Sequence, residues 1–254
     1  MLYFNPYNRH SQSVRGLKTI LNNWGIRTYL NTQPRPGGVT VNWGCGDLRP
    51  AGTILNPQES INLLVDKVVF FRHAGRSKYV LPWTTDRAEA REWDSVVCRR
   101  VTRGSGGYGI TILEQGQEIP NVPLYTKYIK KSHEYRVHVV KNPDSTLARV
   151  LCVQRKIFKK TPHRQEPLDW KVRSHDNGFI FAHENLESVP TSVTQTVLAF
   201  VGLKFPDLNF GGWDVIYSDK SDRAWVVEGN SAPGLEGHTL ECYAEFFREV
   251  HNQR

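Results

Sequence analysis

Two apolar runs near the C-terminus constrain this chain most, because each carries oxygen-bearing side chains at a strand period. Asp214 lies in the run from Phe210 to Tyr217, and Glu228 and Asn230 lie in the run from Trp225 to Gly234. Trp213 to Tyr217 and Ala224 to Glu228 read as strands, and the polar segment Ser218 to Arg223 reads as the turn of a hairpin. Side chains alternate faces along a strand. Glu228 and Asn230 therefore share a face if the strand continues, and a hairpin sets Asp214 beside them. Two carboxylates and an amide oxygen are hard donors, suited to Mg²⁺ held together with substrate phosphates. The competing reading is an exposed strand edge with an Asx turn at Asn230; Glu228-Gly229-Asn230 followed by Pro233-Gly234 favours the metal.

The chain has 254 residues, enough for one large domain or two or three lobes around real cores. With 39% hydrophobic and 23% charged residues it has the composition of a soluble globular protein. No apolar run approaches the length that spans a bilayer, and Met1 to Pro6 lacks the pattern of a signal peptide. Cys45, Cys98, Cys152 and Cys242 are scattered with no CxxC pair. That usage predicts core thiols and a reducing, cytoplasmic compartment, with no membrane partner. His163, His175 and His183 have no spacing that suits zinc, and no nucleophile elbow occurs.

Net charge is +8, and its location says more than its size. Between Lys127 and Arg173 there are 13 Lys or Arg against 4 Asp or Glu, so this segment carries the whole excess. A basic stripe of this kind fits a nucleic acid, a nucleotide polyphosphate, an acidic protein substrate or a solvated face.

Three units follow from the order of periodic segments. Residues 1–60 read as a small α/β unit with a helix over Ser13 to Trp24 and a strand over Gly38 to Trp43. Residues 61–123 hold a helix start at Thr84-Thr85-Asp86, a β-rich run from Asp94 to Val101 and a resumed strand from Gly109 to Leu113. Residues 124–254 hold strands at Leu124 to Ile129, Tyr135 to Val140 and Ala148 to Phe158, a helix from Thr191 to Val201 stopping at Gly202, and an amphipathic helix over Leu240 to Val250.

Within the central unit, Arg99-Arg100-Val101-Thr102-Arg103 leads into Gly104-Ser105-Gly106-Gly107-Tyr108-Gly109. A glycine turn between strands lets backbone N–H groups approach phosphate oxygens, and a basic residue on the incoming strand can reach the same anion. Alternation places only one of Arg99 and Arg100 on the inner face; loop spacing favours Arg100. No GKS or GKT is present, and no helix opens after the glycines, so neither a P-loop nor a dinucleotide fingerprint is indicated. Further along, Glu134, Arg136 and His138 share one strand face opposite Tyr135, Val137 and Val139. Arg155, near the end of the next strand, is suited to pairing an oxyanion or phosphate.

Taken in order, these segments resemble the ATP-grasp superfamily, in particular its ribosomal-modification glutamate ligase and glutathione synthetase branch. Asn56-Pro57 with Asp66-Lys67 resembles that family's entry into the central domain, and Val96 to Ile110 its strand, basic residue and phosphate loop. Tyr125 to Ile129 resembles the strand that frames adenine. Glu134-Tyr135-Arg136 resembles its acidic-x-Arg strand, and Arg155 matches its basic residue on the following strand. Arg173 to Asn185 matches a poorly ordered loop. Gly212 to Val215 and Glu228 to Gly234 match its metal strands. The resemblance spans roughly residues 56 to 240. The chain departs from the family in offering Arg where Lys usually precedes the glycine loop, and Lys127 where an acidic residue usually adjoins the adenine strand.

The resemblance implies an α+β architecture of two lobes clamping ATP, preceded by a small α/β domain, with units 1–60, 61–123 and 124–254. It implies ATP held by Arg99 or Arg100, Gly104, Ser105, Gly106, Gly107, Gly109, Lys127, Tyr128, Ile129 and Glu134. Mg²⁺ or Mn²⁺ would sit on Asp214, Glu228 and Asn230, and Arg136 and Arg155 would be catalytic. The implied activity is carboxylate–amine ligation through an acylphosphate, on an amino acid, peptide or other carboxylate. A kinase acting on a small polyanion, or a nucleic-acid-binding protein with a degenerate ATP site, are the alternatives.

Overall fold

The computed structural model describes residues 1–45, 52–104 and 107–253. Strands β1 (Leu2–Pro6), β2 (Thr28–Leu30), β3 (Val39–Trp43) and β4 (Thr53–Leu55) form a parallel sheet in the order β2-β1-β3-β4. Helix α1 (Gln12–Asn23) starts at Ser11, whose side chain accepts from the Val14 N–H, as an N-cap should. It buries Val14, Leu17 and Leu21 against Leu2, Phe4, Val39 and Val41.

Helices α2 (Gln58–Val65) and α3 (Lys67–Ala74) follow. A central sheet is then built from β5 (Trp83–Thr84), β6 (Ser95–Arg99), β7 (Ile110–Glu114) and β8 (Leu124–Lys127), in the order β5-β8-β6-β7. Helix α4 (Arg87–Arg91), capped by Asp86 through the Ala88 N–H, covers its back with Ala90 against Val96, Cys98 and Tyr125.

The largest sheet is antiparallel, with β9 (His133–Val140), β10 (Arg149–Phe158), β11 (Phe179–Glu184), β12 (Phe210–Ser218) and β13 (Arg223–Asn230) in the order β11-β10-β9-β12-β13. Its apolar face carries Val137, Val139, Val153, Val215 and Val226. It packs on Phe70 and Phe71 of α3 and on Val193, Val197 and Phe200 of α5 (Thr191–Lys204). The final helix α6 (Gly237–Asn252) returns to the first unit, where Tyr243, Phe246 and Phe247 join the core of the parallel sheet.

Four expectations change. The strand at Leu124 was placed with the C-terminal unit; Leu124 to Lys127 instead pairs antiparallel with β6 of the central sheet. Helices α2 and α3 do not belong to the central core, since Phe70 and Phe71 pack beneath the five-stranded sheet. The expected loop from Arg173 to Asn185 contains the edge strand β11, paired with β10 from Val153↔Glu184 to Phe158↔Phe179. Helix α5 runs through Gly202 to Lys204, because the burial of Val197, Phe200 and Val201 outweighs the roughly 1 kcal/mol that an interior glycine costs.

One buried contact locks the first unit to the third. Asn56 is fully buried with φ 61°. Its Oδ1 accepts from the backbone N–H of Asn209 at 2.8 Å and of Phe210 at 3.1 Å. Its Nδ2 donates to the Phe210 carbonyl at 2.9 Å, and its own backbone N–H donates to Asn209 Oδ1 at 3.1 Å. Asn56→Ala leaves two backbone N–H groups buried without an acceptor, a loss of about 2–4 kcal/mol. A urea denaturation series should show this as a lowered midpoint with an unchanged slope.

Candidate active site

The polar face of the five-stranded sheet and the inner face of the central sheet enclose a cleft of about 1100 Å³. Alternation on β9 places Glu134, Arg136 and His138 opposite the core residues Tyr135, Val137 and Val139. On β12 and β13 the register sets Asp214 opposite Glu228, and Gly212 opposite Asn230. On its other side Asp214 is paired with Arg136. Glu228 and Asn230 are separated by Gly229, where a Cβ would come within 2.6 Å of the Trp213 ring and 2.9 Å of Leu64. Only glycine lets the strand lie that close to its core, so the spacing of Glu228 and Asn230 is a packing requirement as well as a chemical one.

Every carboxylate at the centre of the cleft has a cationic partner. Arg136 grips Asp214 through two parallel bonds, Nε to Oδ1 at 2.6 Å and Nη2 to Oδ2 at 2.9 Å. Burial opposes ionisation of Asp214, yet Arg136 holds it below the ordinary carboxylate range. Glu134 is shared by Lys131 at 2.6 Å and Lys156 at 3.0 Å. Burial again opposes, and the two ammonium groups again prevail to hold it low. Lys67 Nζ lies 3.1 Å from Glu228 Oε2 and donates to the Gly104 carbonyl at 2.8 Å. This lysine therefore joins the glycine loop to the carboxylate pair. Its place is set by Asp66, which caps α3 through the Val68 and Val69 N–H groups and accepts from the Thr102 hydroxyl.

Arg99 is the exception. It is 8% exposed, faces the cleft, and its Nε has no hydrogen-bond acceptor. Burial pushes its pKa down, with Glu228 and Glu134 opposing at longer range. The neighbouring Thr126 hydroxyl, fully buried, is also without a partner. Ten Lys or Arg line the cleft against four Asp or Glu, so an excess of positive charge remains after the internal pairs are formed.

No protein-family model matches the chain, and no curated protein matches it by sequence. Solved structures do. The ATP-grasp ligase PsnB complexed with minimal precursor, Mg and ADP superposes with a TM-score of 0.63 at 11% identity, covering 99% of this chain and 96% of that one. D-alanyl-alanine synthetase A from Vibrio cholerae gives 0.64 at 10% identity, covering 99% and 97%. A RimK domain ATP-grasp protein from Sphaerobacter thermophilus gives 0.60 at 12% identity, covering 98% and 99%. The chain has the ATP-grasp fold.

Residues expected at the site fall into the cleft unevenly. Arg99, Gly104, Gly107, Lys127, Tyr128, Ile129, Glu134, Arg136, Asp214 and Glu228 all line it, and Asn230 adjoins it on β13 with Nδ2 3.4 Å from the Gly212 carbonyl. Ser105 and Gly106 lie outside the described residues. Gly109 stands behind the loop with φ 73°, where a Cβ would lie 2.9 Å from Val101; its role is the turn itself, closed by the Arg100 N–H donating to its carbonyl.

Two expectations are corrected. Arg100 is exposed and outside the cleft, because β6 buries Val96 and Cys98 against α4 and so turns Val97 and Arg99 inward. Arg155 points to the other face of β10, 2.8 Å from Glu184, while Gln154 and Lys156 enter the cleft. In both cases two residues of suitable chemistry are adjacent, and a shift of one position reverses the face. Sequence reasoning passed over Lys67, Lys131 and Lys156 as site residues. Asp66 followed by an apolar run was the available signal for Lys67, since it marks a helix start directly beneath it.

Among the described residues no cluster of three or more His, Cys, Asp or Glu could hold a metal. A divalent ion at Asp214 and Glu228 would therefore draw on Asn230 and on oxygens of a bound ligand. That donor set fits Mg²⁺, which accepts few protein ligands and keeps the rest for phosphate and water.

Beneath this layer His138 is fully buried, its Nδ1 3.1 Å from the Tyr243 hydroxyl and its Nε2 3.0 Å from Gln154 Oε1. Burial pushes its pKa from 6.5 down to about 4. The unfolded chain then binds a proton between these values that the folded chain refuses, so folding stability falls as pH drops from 6.5 towards 4. The component from this residue is roughly 3 kcal/mol. Denaturation midpoints measured across that range should lose this slope in His138→Gln.

Proposed function

We propose that this protein is an ATP- and Mg²⁺-dependent carboxylate–amine ligase. The observation that carries the reading is Arg99, a buried guanidinium whose Nε has no acceptor, lining the same cleft as the Asp214–Glu228 pair with its surplus of cations. A buried donor left without an acceptor costs about 1–3 kcal/mol, and an anionic ligand removes that cost. A triphosphate supplies the anion for Arg99, Lys67 and the backbone of the glycine loop. The apolar residues Val97, Ile112, Ile129 and Val227 along the cleft offer a slot for a base beside the β8 end.

Mg²⁺, when bound, neutralises phosphate charge as the γ-phosphoryl group is transferred. The chain's residues do the rest by position and charge. A substrate carboxylate oxygen attacks the γ-phosphorus, the bond to ADP breaks, and an acylphosphate results. Arg136 and Lys156 lie on the cleft face to stabilise the developing anion. An amine nitrogen then attacks the acyl carbon, phosphate leaves, and the nitrogen loses a proton. No side-chain nucleophile is required. PsnB was solved with a precursor, and two further matched structures are a D-alanyl-alanine synthetase and a RimK domain protein; these support a carboxylate substrate without naming it. Much of the basic segment from Lys127 to Arg173 turns inward, with Lys131, Arg136, Lys156, Lys159, Lys171 and Arg173 on the cleft wall. This favours a small polyanion over a nucleic acid.

Calorimetric titration with a non-hydrolysable ATP analogue and Mg²⁺ tests the phosphate assignment. Arg99→Ala should weaken binding by roughly 10–100-fold, the worth of a charge-assisted hydrogen bond, while Arg100→Ala and Arg155→Ala should stay within about twofold. Assays of ADP release against a panel of amino acid and peptide carboxylates test the reaction. Asn230→Ala and Glu228→Gln should each abolish Mg²⁺-dependent release; full turnover in either variant would remove the metal assignment.

A further inference from the structure

Gln154 stands in a polar row that crosses the five-stranded sheet. The pairings run His183, Gln154, Arg136, Asp214 and Glu228, from β11 to β13. Gln154 is 8% exposed and lines the cleft. Its Oε1 is turned towards His138 Nε2, 3.0 Å away, and His138 Nδ1 lies 3.1 Å from the Tyr243 hydroxyl of α6. His138 and Tyr243 are both fully buried.

The direction of these bonds follows from Tyr243. Among the described residues its hydroxyl has no hydrogen-bond partner except His138 Nδ1. A buried O–H needs an acceptor, so Nδ1 accepts and carries no proton. The ring is neutral, in keeping with its lowered pKa, and its one proton therefore sits on Nε2. That proton is donated to Gln154 Oε1. The amide nitrogen of Gln154 is left on the cleft side with two N–H donors and no acceptor among the described residues.

Position along the row decides what these donors meet. The phosphate end is set at β13, where Lys67 joins Glu228 to the glycine loop. Neighbouring strands lie about 4.8 Å apart, which puts Gln154 roughly 5 Å from Arg136 and roughly 10 Å from Asp214 across the sheet. An acyl group on a γ-phosphate held over Asp214 and Arg136 then extends towards β10. Arg136 commits Nε and Nη2 to Asp214, so it has few donors left for that group. We infer that Gln154 is the donor that receives the acyl oxygen of the substrate, aimed by the His138–Tyr243 relay beneath it. This role rests on the ligase reading. As the amine nitrogen bonds to the acyl carbon, the C=O electron pair moves onto oxygen, where the Gln154 amide meets it beside Arg136 and Lys156. The pair returns as the bond to phosphate breaks; phosphate leaves, and the nitrogen gives its proton to water. Gln154 touches the reacting group and is a catalytic residue; His138 and Tyr243 act through it and are positioning residues.

Two measurements on the full chain test this. The first is ADP release with the carboxylate that best supports it. Gln154→Leu should lower kcat about 100-fold, the usual effect of removing one oxyanion donor, with affinity for a non-hydrolysable ATP analogue kept within about twofold. Gln154→Glu keeps the contact to His138 but offers the cleft an acceptor, and should fall at least as far. Tyr243→Phe should lower kcat several-fold, and that effect should vanish in the Gln154→Leu background, as for residues that act as a unit. A purely structural role for Tyr243 would give the same loss in both backgrounds. The second measurement follows the Gln154 side-chain amide by NMR in isotope-labelled protein, identified by its disappearance in Gln154→Leu. Acetyl phosphate added with ADP and Mg²⁺ should shift it beyond the change seen with ADP and Mg²⁺ alone. Unchanged kcat and KM in Gln154→Leu, or an amide that ignores acetyl phosphate, would overturn the proposal. An amide that responds to acetyl phosphate in a wild-type protein that releases no ADP with any carboxylate would remove the ligase reading and keep the oxygen-binding role of Gln154.

Discussion

Arg136 and Asp214 face each other across β9 and β12, and the cleft is arranged around their two-bond contact. The pair exists only in one register. A slip of one residue would turn Asp214 into the core and bring Trp213 to the polar side. Asp214 then places Glu228 directly opposite on β13, and Arg136 places Gln154 opposite on β10. Four strands thus contribute one polar face because their other face is committed to Val137, Val153, Val215 and Val226 against α3 and α5. Neither charge of the pair could be left alone at that depth, since the desolvation of each is repaid only by the other.

Charge in the cleft is distributed by the same logic. Glu134 is held by two lysines, Glu228 by Lys67 and Asp214 by Arg136. Each carboxylate at the centre of the cleft thereby has a cationic partner, while the buried Nε of Arg99 is left without an acceptor. Lys67 has a further consequence. Because it touches both Gly104 and Glu228, the glycine loop and the metal-type carboxylates are parts of one network, although they belong to different sheets.

Much of this architecture was legible along the chain. The strands β9, β10, β12 and β13 show themselves by alternating apolar residues, and α1 and α6 by helical spacing. Asp214, Glu228 and Asn230 could be grouped because strand period and hairpin geometry are local rules. The pairs Arg99/Arg100 and Arg155/Lys156 could not be resolved that way. Alternation states that neighbours face opposite sides, but when both are basic it does not say which side is the cleft. Burial of Cys98 under α4 decides the first pair, and the register of β10 against β9 decides the second. β11 escaped notice because an edge strand with a half-exposed face carries a weak pattern beside a long polar loop.

Composition and periodicity were sufficient for the classes of element and for grouping Asp214, Glu228 and Asn230, since each depends on residues close together in sequence; the two-lobed α+β plan was what the family resemblance implied. Long-range packing settled the remainder. It sent α2 and α3 beneath the five-stranded sheet, gave β8 to the central one, and returned α6 to the first unit. Those outcomes turn on which apolar surfaces bury one another, and burial free energy depends on area and fit between segments distant in the chain. No local pattern encodes that choice, so it becomes visible only when the whole chain has folded.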